Sequence, residues 1–413
     1  MITTQEWGGR AKAASLVLKT ARTGEKDAAL RRIAAALRAK TKQILEANEE
    51  DMKEAAEAGV REVMLDRLKL DEARIEAMAQ AVEKLTQLED PIGQVVEGFT
   101  RPNGLQIRQV RVPLGTVGMI FEARPNVTVD AACLCLKTGN AVLLRGGKEA
   151  YRSNRALTEC MRGALREVPL PEDAICLVED ISHDSVTVMM NMVGVLDVLI
   201  PRGGAGLIQA VKMGSRVPVI ETGVGNCHIY VDDSADLEMA VSIVVNAKTS
   251  RPSVCNAAES LLVHEAVAEP FLKRLAKAMP EVRLHGCEKT RAILPDVLPA
   301  TEEDYAREYL DLDLSVKVVR DLTEAIGHIA RYSTGHSEAI ITETLAHAQR
   351  FTDEVDAAAV YVNASTRFTD GGEFGQGAEI GISTQKLHAR GPMGLKALTS
   401  TKFVIQGNGQ IRK

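Results

Sequence analysis

The sequence predicts an α/β protein with parallel-sheet cores. From Pro113 onward, short apolar segments of strand length alternate with helix-like segments, as in parallel sheets with crossover helices. The first strand candidates are residues 116–121, 141–144, 174–178, 195–201 and 217–221. A chain of 413 residues is too long for one small core, so two or three domains are expected. With 45% hydrophobic and 26% charged residues, its composition is that of a globular protein.

The segment before this alternation, residues 1–98, is predicted to be helical. Apolar residues recur at helical spacing at 30, 33, 34 and 37, and again at 75, 78, 82 and 85 after a predicted N-cap, Asp71. Residues 103–112 then alternate as a strand with Gln and Arg on one side. A strand with such a polar face is expected at an edge or in an arm rather than in a sheet centre.

A second α/β unit is predicted over residues 222–360. Its strand candidates lie near 228–232, 260–264, 316–319 and 338–342. Residues 361–413 are expected to return to the first domain, through a Gly-rich loop at 371–381, and to end in a strand at 401–405. The predicted domains are therefore 1–221, 222–360 and the returning segment 361–413.

Charge and cysteine content exclude several classes of protein. A net charge of −6 gives no reason to expect nucleic acid or a membrane surface as a partner. Seven cysteines form no disulfide framework, and Cys133 and Cys135 would face different sides of a helix, so no metal site is predicted. The first residues lack a signal peptide, and no apolar run is long enough to span a bilayer. We expect a reduced, soluble, cytoplasmic protein.

One cysteine, Cys255, stands on a connection where a nucleophile would be placed. It follows a Pro-Ser turn, between a helix-like run at 237–245 and a strand-like run at 260–264. A lone cysteine is also often a small buried residue without reactivity, and both interpretations are open on this stretch alone.

Two turns have the composition of phosphate-binding sites. The strand at 141–144 ends in Arg145, two glycines and Lys148, which suits phosphate and in particular the 2′-phosphate of NADP. A P-loop is excluded because Val142 stands where its first glycine belongs. The alternative is a solvated basic turn. After the strand at 195–201, Gly203 and Gly204 open a helix whose N–H groups can bind an anion, although such turns are common.

Several blocks of the chain resemble the aldehyde dehydrogenase superfamily. They are residues 112–128, the Cys255 stretch, Glu-Thr-Gly-Val-Gly-Asn-Cys-His at 221–228, Gly-His-Ser-Glu-Ala-Ile at 335–340 and the Gly-rich block 374–384. The resemblance runs over essentially the whole chain. Within the superfamily it is to the branch that reduces an acyl phosphate, and several blocks are specific to that branch.

The resemblance implies both a fold and an activity. The fold would be two Rossmann-like α/β domains plus a small β oligomerisation arm, built from 103–112 and 391–402, so a homo-oligomer is expected. The activity would be NADPH-dependent reduction of L-glutamyl 5-phosphate to L-glutamate 5-semialdehyde and phosphate, in proline biosynthesis. A glutamate kinase that supplies the unstable acyl phosphate would be a possible transient partner.

The resemblance also implies roles for single residues. Cys255 matches the catalytic thiol, and Asn126 matches the asparagine whose amide joins the cysteine N–H in the oxyanion hole. Arg145 matches a basic residue, usually lysine, that contacts the adenosine ribose, and Glu308 matches the glutamate that holds the nicotinamide ribose.

The chemistry of the reaction suggests further candidates. A thiol that must ionise near neutral pH benefits from nearby cations, for which Lys248 and Arg251 are placed. Arg251 would also meet the leaving phosphate, unless it forms a salt bridge with a surface carboxylate. Arg390 is a candidate for the substrate carboxylate. Glu221 matches a glutamate that activates water in hydrolytic relatives; here it would relay a proton or hold its turn.

Two rival functions follow from these residues. A hydrolytic NAD(P)-dependent aldehyde dehydrogenase acting on a small aldehyde is favoured by Glu221 and opposed by the reductase-like blocks at 335–340 and 374–384. A catalytically inactive member of the fold is opposed by the joint presence of Cys255, Asn126 and Arg145.

Overall fold

The computed structural model describes residues 2–60, 62–122 and 124–412 and divides the chain into two compact units. Unit 1 contains residues 1–222, 375–381 and 393–413, and unit 2 contains residues 223–374 and 382–392. The division differs from the predicted one after residue 360. Segments 361–374 and 382–392 fold with unit 2, because they extend its sheet connections and form a hairpin of their own.

The helices of unit 1 begin with a run that precedes its sheets. They are α1 (Thr4–Leu18), α2 (Thr23–Ala39), α3 (Thr41–Glu57), α4 (Glu62–Leu68), α5 (Glu72–Gln87), α6 (Pro125–Lys137), α7 (Tyr151–Leu165), α8 (His183–Met190) and α9 (Ala205–Gly214). Asp71 caps α5, as predicted, by accepting a hydrogen bond from the Arg74 N–H at 2.8 Å. The periodic residues Leu30, Ile33 and Leu37 of α2 are fully buried, which is why this stretch folds as an amphipathic helix.

The larger sheet of unit 1 is parallel, in the order β5-β4-β3-β6. Its strands are β3 (Thr116–Phe121), β4 (Ala141–Arg145), β5 (Ile175–Leu177) and β6 (Val198–Arg202). The predicted strand at 217–221 was wrong: within the described chain, this run makes only an isolated bridge between Leu199 and Val219. Pro218 removes one backbone donor there, so the run cannot extend the ladder in full.

A separate antiparallel sheet of unit 1 has the order β1-β2-β16. Its strands are β1 (Val95–Thr100), β2 (Gln106–Pro113) and β16 (Thr399–Gln406). The polar strand, expected at an edge or in an arm, is the middle strand of a small, largely exposed sheet that is separate from the parallel sheet, as in an arm. Its polar face reflects the exposure of the whole sheet rather than a place at the edge.

Unit 2 is built on a second parallel sheet, in the order β10-β9-β11-β8-β7-β12-β13. The strands of the unit are β7 (Cys227–Val231), β8 (Ala258–His264), β9 (Arg283–Gly286), β10 (Leu298–Pro299), β11 (Asp313–Val319), β12 (Ser337–Ile341) and β13 (Ala359–Val362), with a hairpin of β14 (Ile382–Ser383) and β15 (Gly391–Pro392). The helices are α10 (Leu237–Thr249), α11 (Ala268–Ala278), α12 (Glu288–Ile293), α13 (Glu302–Ala306), α14 (Leu322–Tyr332) and α15 (Leu345–Glu354).

Both faces of the sheet in unit 2 are buried, as expected for parallel strands with crossover helices. On one face Ile229, Leu261 and Val316 pack in a cluster with side chains of α10 and α11. On the other face Tyr230 and Leu262 pack in a cluster with side chains of α14 and α15. The four predicted strands of this unit correspond to β7, β8, β11 and β12. Within the described residues, the helices are too short or too polar to cross a membrane.

Candidate active site

Cys255 lies on the connection between α10 and β8, where its side chain is half-buried. The backbone of residue 225 packs directly on this connection: a Cβ atom on Gly225 would lie 1.5 Å from the Cys255 carbonyl oxygen. The Cys227 thiol also donates to that oxygen, at 3.2 Å. This connection, residues 250–257 and called the cysteine loop below, is therefore fixed against the segment before β7. Only glycine fits at position 225.

Accessibility separates Cys255 from most of the other thiols. All seven cysteines are free, and Cys133, Cys135, Cys160, Cys176 and Cys227 are buried. Burial raises the pKa of Cys160 to about 11 and that of Cys176 to about 12, so these thiols stay protonated and unreactive at neutral pH. Only Cys255 and Cys287 are partly exposed. Of the two, Cys287 precedes α12, and its sulfur accepts a hydrogen bond from the Val318 N–H at 3.4 Å.

Lys248 forms an ion pair with a carboxylate, so its charge is not available to activate the thiol of Cys255. Its ammonium lies 2.6 Å from the Glu259 carboxylate, and both side chains are fully buried. Burial raises the pKa of Glu259 to about 7 against the opposing effect of Lys248. The predicted role of Lys248 as thiol activator is thus weakened, because Glu259 already balances its charge.

The buried pair also holds the segment that contains Glu308. The Leu310 N–H donates to Glu259 at 3.1 Å, and the Gly225 N–H donates to Glu308 at 2.7 Å. Leu310 has a φ of 56°, which for a residue with a large side chain costs about 1–3 kcal/mol. Two carboxylates thereby connect this segment to β8, which follows the cysteine loop, and to Gly225, which packs on it.

A second arginine, Arg367, joins Arg251 beside the cysteine loop. Its side chain donates to Ser250 at 3.2 Å and to the Asn256 side chain. Ser250 directly precedes the exposed Arg251, and Asn256 directly follows Cys255. Burial and the charge of Arg251 lower the pKa of Arg367, while Cys255 acts in the opposite direction. Arg367 was not predicted from the sequence. Its signal is the Ser-Thr-Arg-Phe turn after β13, which by itself has no diagnostic pattern.

The predicted phosphate-binding residues of unit 1 lie at the carboxyl edge of its parallel sheet, after the adjacent strands β4, β3 and β6. Arg145 is buried there. Its guanidinium donates to the carbonyls of Ile181 and Ser182 at 2.7 and 2.9 Å and to the Ser185 hydroxyl at 3.2 Å. Most of the donors of Arg145 therefore bind the segment before α8. Lys148, in the turn that follows Arg145, is exposed.

The glycine turn before α9 already binds a carboxylate. The Gly204 N–H donates to Glu122 at 2.9 Å, and a Cβ on Gly203 would lie 2.6 Å from the Glu122 carboxyl carbon. An N–H group at a helix start that holds a carboxylate can also hold a phosphate oxygen. The turn, the exposed Lys148 and the strand ends beside them therefore suit the phosphates of a dinucleotide.

Asn126 and Glu221 belong to unit 1, whereas Cys255 belongs to unit 2. Asn126 is exposed in the first turn of α6 and donates to Asp130 at 3.0 Å. Burial raises the pKa of Asp130 to about 6. Glu221 forms an ion pair with Lys212 at 2.9 Å, which gives it a structural contact.

Arg390, the predicted ligand of a substrate carboxylate, pairs with a carboxylate of the protein. Its guanidinium lies 2.8 Å from Asp356, which Lys386 also contacts at 2.5 Å. Arg390 is less than one-third exposed, at 29%. A substrate carboxylate would have to replace Asp356 or share the guanidinium with it.

Comparison with known proteins gives matches over most or all of the chain. The model of the aldehyde dehydrogenase family matches residues 5–297. The chain is 60% identical to a gamma-glutamyl phosphate reductase of Clostridium perfringens over 98% of both chains, and 60% identical to one of Carboxydothermus hydrogenoformans over the same shares. The crystal structure of the gamma-glutamyl phosphate reductase of Thermotoga maritima superposes with a TM-score of 0.97, at 51% identity and with full coverage of both chains.

Proposed function

Since the chain belongs to the aldehyde dehydrogenase family, and within it to the gamma-glutamyl phosphate reductases, we propose that it reduces L-glutamyl 5-phosphate to L-glutamate 5-semialdehyde and phosphate. This reaction is a step in proline biosynthesis and uses a nicotinamide cofactor. The observation that carries the proposal is the 60% identity over 98% of the chain. The half-buried Cys255 on its fixed loop supplies the nucleophile that this chemistry requires.

Cys255 acts by covalent catalysis. Its thiolate attacks the acyl carbon of the acyl phosphate and forms a C–S bond; the bond from that carbon to the bridging oxygen breaks, and its electron pair leaves with the phosphate. A bound nicotinamide cofactor would supply the hydride that adds to the acyl carbon of the thioester. The C–S bond then breaks, its electron pair returns to the sulfur of Cys255, and the aldehyde is released.

Each addition to the acyl carbon places a negative charge on the acyl oxygen. Stabilisation of that charge by two N–H donors is worth several orders of magnitude in rate, since a single donor is worth about 10²–10³. We assign these donors to the Cys255 backbone and to the Asn126 side-chain amide. The assignment of Asn126 rests on the resemblance of its sequence block.

We propose NADP as the cofactor. Lys148 would contact the 2′-phosphate, the turn at Gly203 and Gly204 would bind the pyrophosphate, and Glu308 would hold the nicotinamide ribose. Arg145 supports the proposal indirectly, because its guanidinium donates to the Gly146 carbonyl, at 3.1 Å, in the turn that presents Lys148. Lys148 is the exposed cation among these residues.

The hydrolytic rival depends on Glu221 as a base that activates water. Its ion pair with Lys212 supports a structural role instead. Hydrolysis of the thioester would also waste an acyl group that another enzyme has activated. We therefore propose that phosphate, and not water, attacks the thioester in the oxidative direction.

One assay separates the two functions. The purified protein is given the semialdehyde in its cyclic form and NADP, with and without phosphate, and the absorbance of NADPH is followed. We expect phosphate-dependent reduction of NADP, and slower reduction when NAD replaces NADP. Equal rates with and without phosphate would show that the chain is a hydrolytic dehydrogenase.

We further propose that the protein is a cytoplasmic homo-oligomer. Free thiols throughout the chain suit a reducing compartment. On the small sheet of unit 1, Phe99, Ile107 and Ile405 lie in register across all three strands, and Phe99 and Ile405 are 44% and 59% exposed. Such an exposed apolar row is a suitable contact surface for a second copy of the chain. A glutamate kinase would supply the acyl phosphate.

A further inference from the structure

Arg367 connects the two ends of the loop that carries Cys255. It lies in a single helical turn (Thr366–Phe368) after β13, and its Nε donates to Ser250 at the end of α10, at 3.2 Å. Its Nη1 donates to the side chain of Asn256, the residue after Cys255. The guanidinium therefore spans the stretch 251–255 from one flank to the other.

The position of Arg367 is fixed by the backbone around it. The Asn256 side-chain amide donates to the carbonyls of Arg367 and Thr369 at 3.2 and 2.9 Å, and the Thr366 hydroxyl donates to the Asn256 carbonyl at 2.8 Å. Asn256 is 5% exposed, so these bonds lie away from water. A guanidinium held this way meets a ligand with little loss of conformational entropy.

The charge of the two arginines is not balanced by an ion pair. Among the described residues, no carboxylate lies within ion-pairing distance of Arg251 or Arg367, although most other arginines of unit 2 have such a partner. Arg251 is exposed and close enough to lower the pKa of Arg367 by charge repulsion. Placing two like charges together beside a nucleophile is unfavourable unless an anion binds between them.

We propose that Arg367 and Arg251 form the phosphate-binding part of the active site, and that Arg367 also positions the cysteine loop. The inference rests on the proposed function, for which it names the group that receives the leaving phosphate. Arg367 has donors left on Nη2 after its bonds to Ser250 and Asn256. With Arg251 it can neutralise the charge that develops on the bridging oxygen as the bond to the acyl carbon breaks.

Calorimetric titration with inorganic phosphate tests the site without any turnover. We expect Arg367→Gln and Arg251→Gln each to weaken phosphate binding by about tenfold or more, since a charge-assisted bidentate contact is lost. Arg367→Lys should recover part of the affinity because it keeps the charge. Arg320→Gln is the matched control: this arginine of unit 2 is exposed and pairs with Glu324, and its loss should leave phosphate binding unchanged.

A second measurement separates positioning from mere folding. The rate of Cys255 alkylation by iodoacetamide is followed against pH, and Arg367→Gln should move its midpoint to higher pH while Arg320→Gln does not. If Arg367→Gln fails to fold, Arg251→Gln and Arg367→Lys decide the question by titration.

The outcomes distinguish this inference from the proposed function. Wild-type protein that does not bind phosphate, or variants at 251 and 367 that bind it as well as wild type, would overturn the phosphate site. Phosphate binding that depends on both arginines, together with NADP reduction that ignores phosphate, would keep the site and refute the reductase activity.

Discussion

At the scale of single residues, burial decides which predicted groups can do chemistry. Lys248 was predicted from its position seven residues before Cys255, but position along the chain does not reveal that Glu259 neutralises it in the core. Arg367 was missed because its role depends on contacts with Ser250 and Asn256, more than a hundred residues away. The local pattern around Cys255, a thiol on a Pro-Ser turn between two regular elements, left both interpretations open, and the resemblance of blocks along the whole chain led to its prediction as the nucleophile.

The first prediction concerns the nucleophile. Cys255→Ser should lower the rate of NADP reduction by about three orders of magnitude or more, because an alcohol is a far poorer nucleophile than a thiolate. The rate is measured by NADPH absorbance. Cys287→Ser is the control, since Cys287 is the other partly exposed thiol of the chain. Full activity of Cys255→Ser would refute the covalent mechanism.

A second prediction concerns His328, which is buried among Tyr305, Tyr332 and His228. Burial lowers its pKa from 6.5 to about 3, so the unfolded chain binds the proton first as the pH falls. This histidine's stabilising contribution is complete above pH 6.5. Below that pH it is lost at about 1.4 kcal/mol per pH unit until the pH approaches the folded pKa.

Replacing His328 with phenylalanine keeps the aromatic packing and removes the titration. The thermal midpoint of His328→Phe, followed by circular dichroism, should fall less steeply between pH 6.5 and 4 than that of the wild type. His183→Gln, at an exposed position on α8, should keep the wild-type dependence. An unchanged slope in His328→Phe would show that this histidine does not contribute to acid unfolding.

At the scale of elements, the alternation of short apolar segments with helix-like segments predicted most strands of the two parallel sheets. It failed at 217–221, where an apolar run contains a proline that cannot donate to a ladder. For β2 it left an edge and an arm open, because a polar face indicates exposure but not which strands pair with it. Pairing between β2 and β16 joins residues almost three hundred positions apart, which no local pattern encodes.

A third prediction concerns the buried pair between α10 and β8. Glu259→Gln leaves the Lys248 ammonium buried without its partner, and should lower the free energy of unfolding by roughly 3–5 kcal/mol. It also weakens the acceptor of the Leu310 N–H, two residues after Glu308. We therefore expect a lower thermal midpoint together with a raised KM for the cofactor.

The double variant Lys248→Met with Glu259→Leu separates these two effects. Removing both charges should bring the thermal midpoint close to that of the wild type, because an apolar pair of similar volume replaces a buried ion pair at little cost. The KM for the cofactor should stay raised, since a leucine at position 259 leaves the Leu310 N–H without its acceptor. A wild-type KM in the double variant would show that the pair does not position the segment of Glu308.

At the scale of the whole molecule, the chain crosses between its units four times after residue 222. Two α/β units could be predicted because each has its own alternation of strands and helices. The short excursions at 375–381 and 382–392 could not be predicted, since glycine-rich loops have no periodicity that assigns them to either sheet. The small sheet depends on the last return, because β16 arrives only at the end of the chain.

That small sheet provides the fourth prediction, which concerns assembly. Ile405→Asp should reduce the molecular mass measured by light scattering at a given concentration. The substitution removes an apolar side chain worth about 1.5–3 kcal/mol on burial and introduces a charge that the interface cannot hydrate. In a two-fold interface both effects occur twice, so dissociation constants should rise by at least about a hundredfold. Ser400→Asp adds the same charge to the opposite face of β16 and should leave the mass unchanged. If Ile405→Asp retains the wild-type mass, the apolar row of Phe99, Ile107 and Ile405 does not hold the copies together.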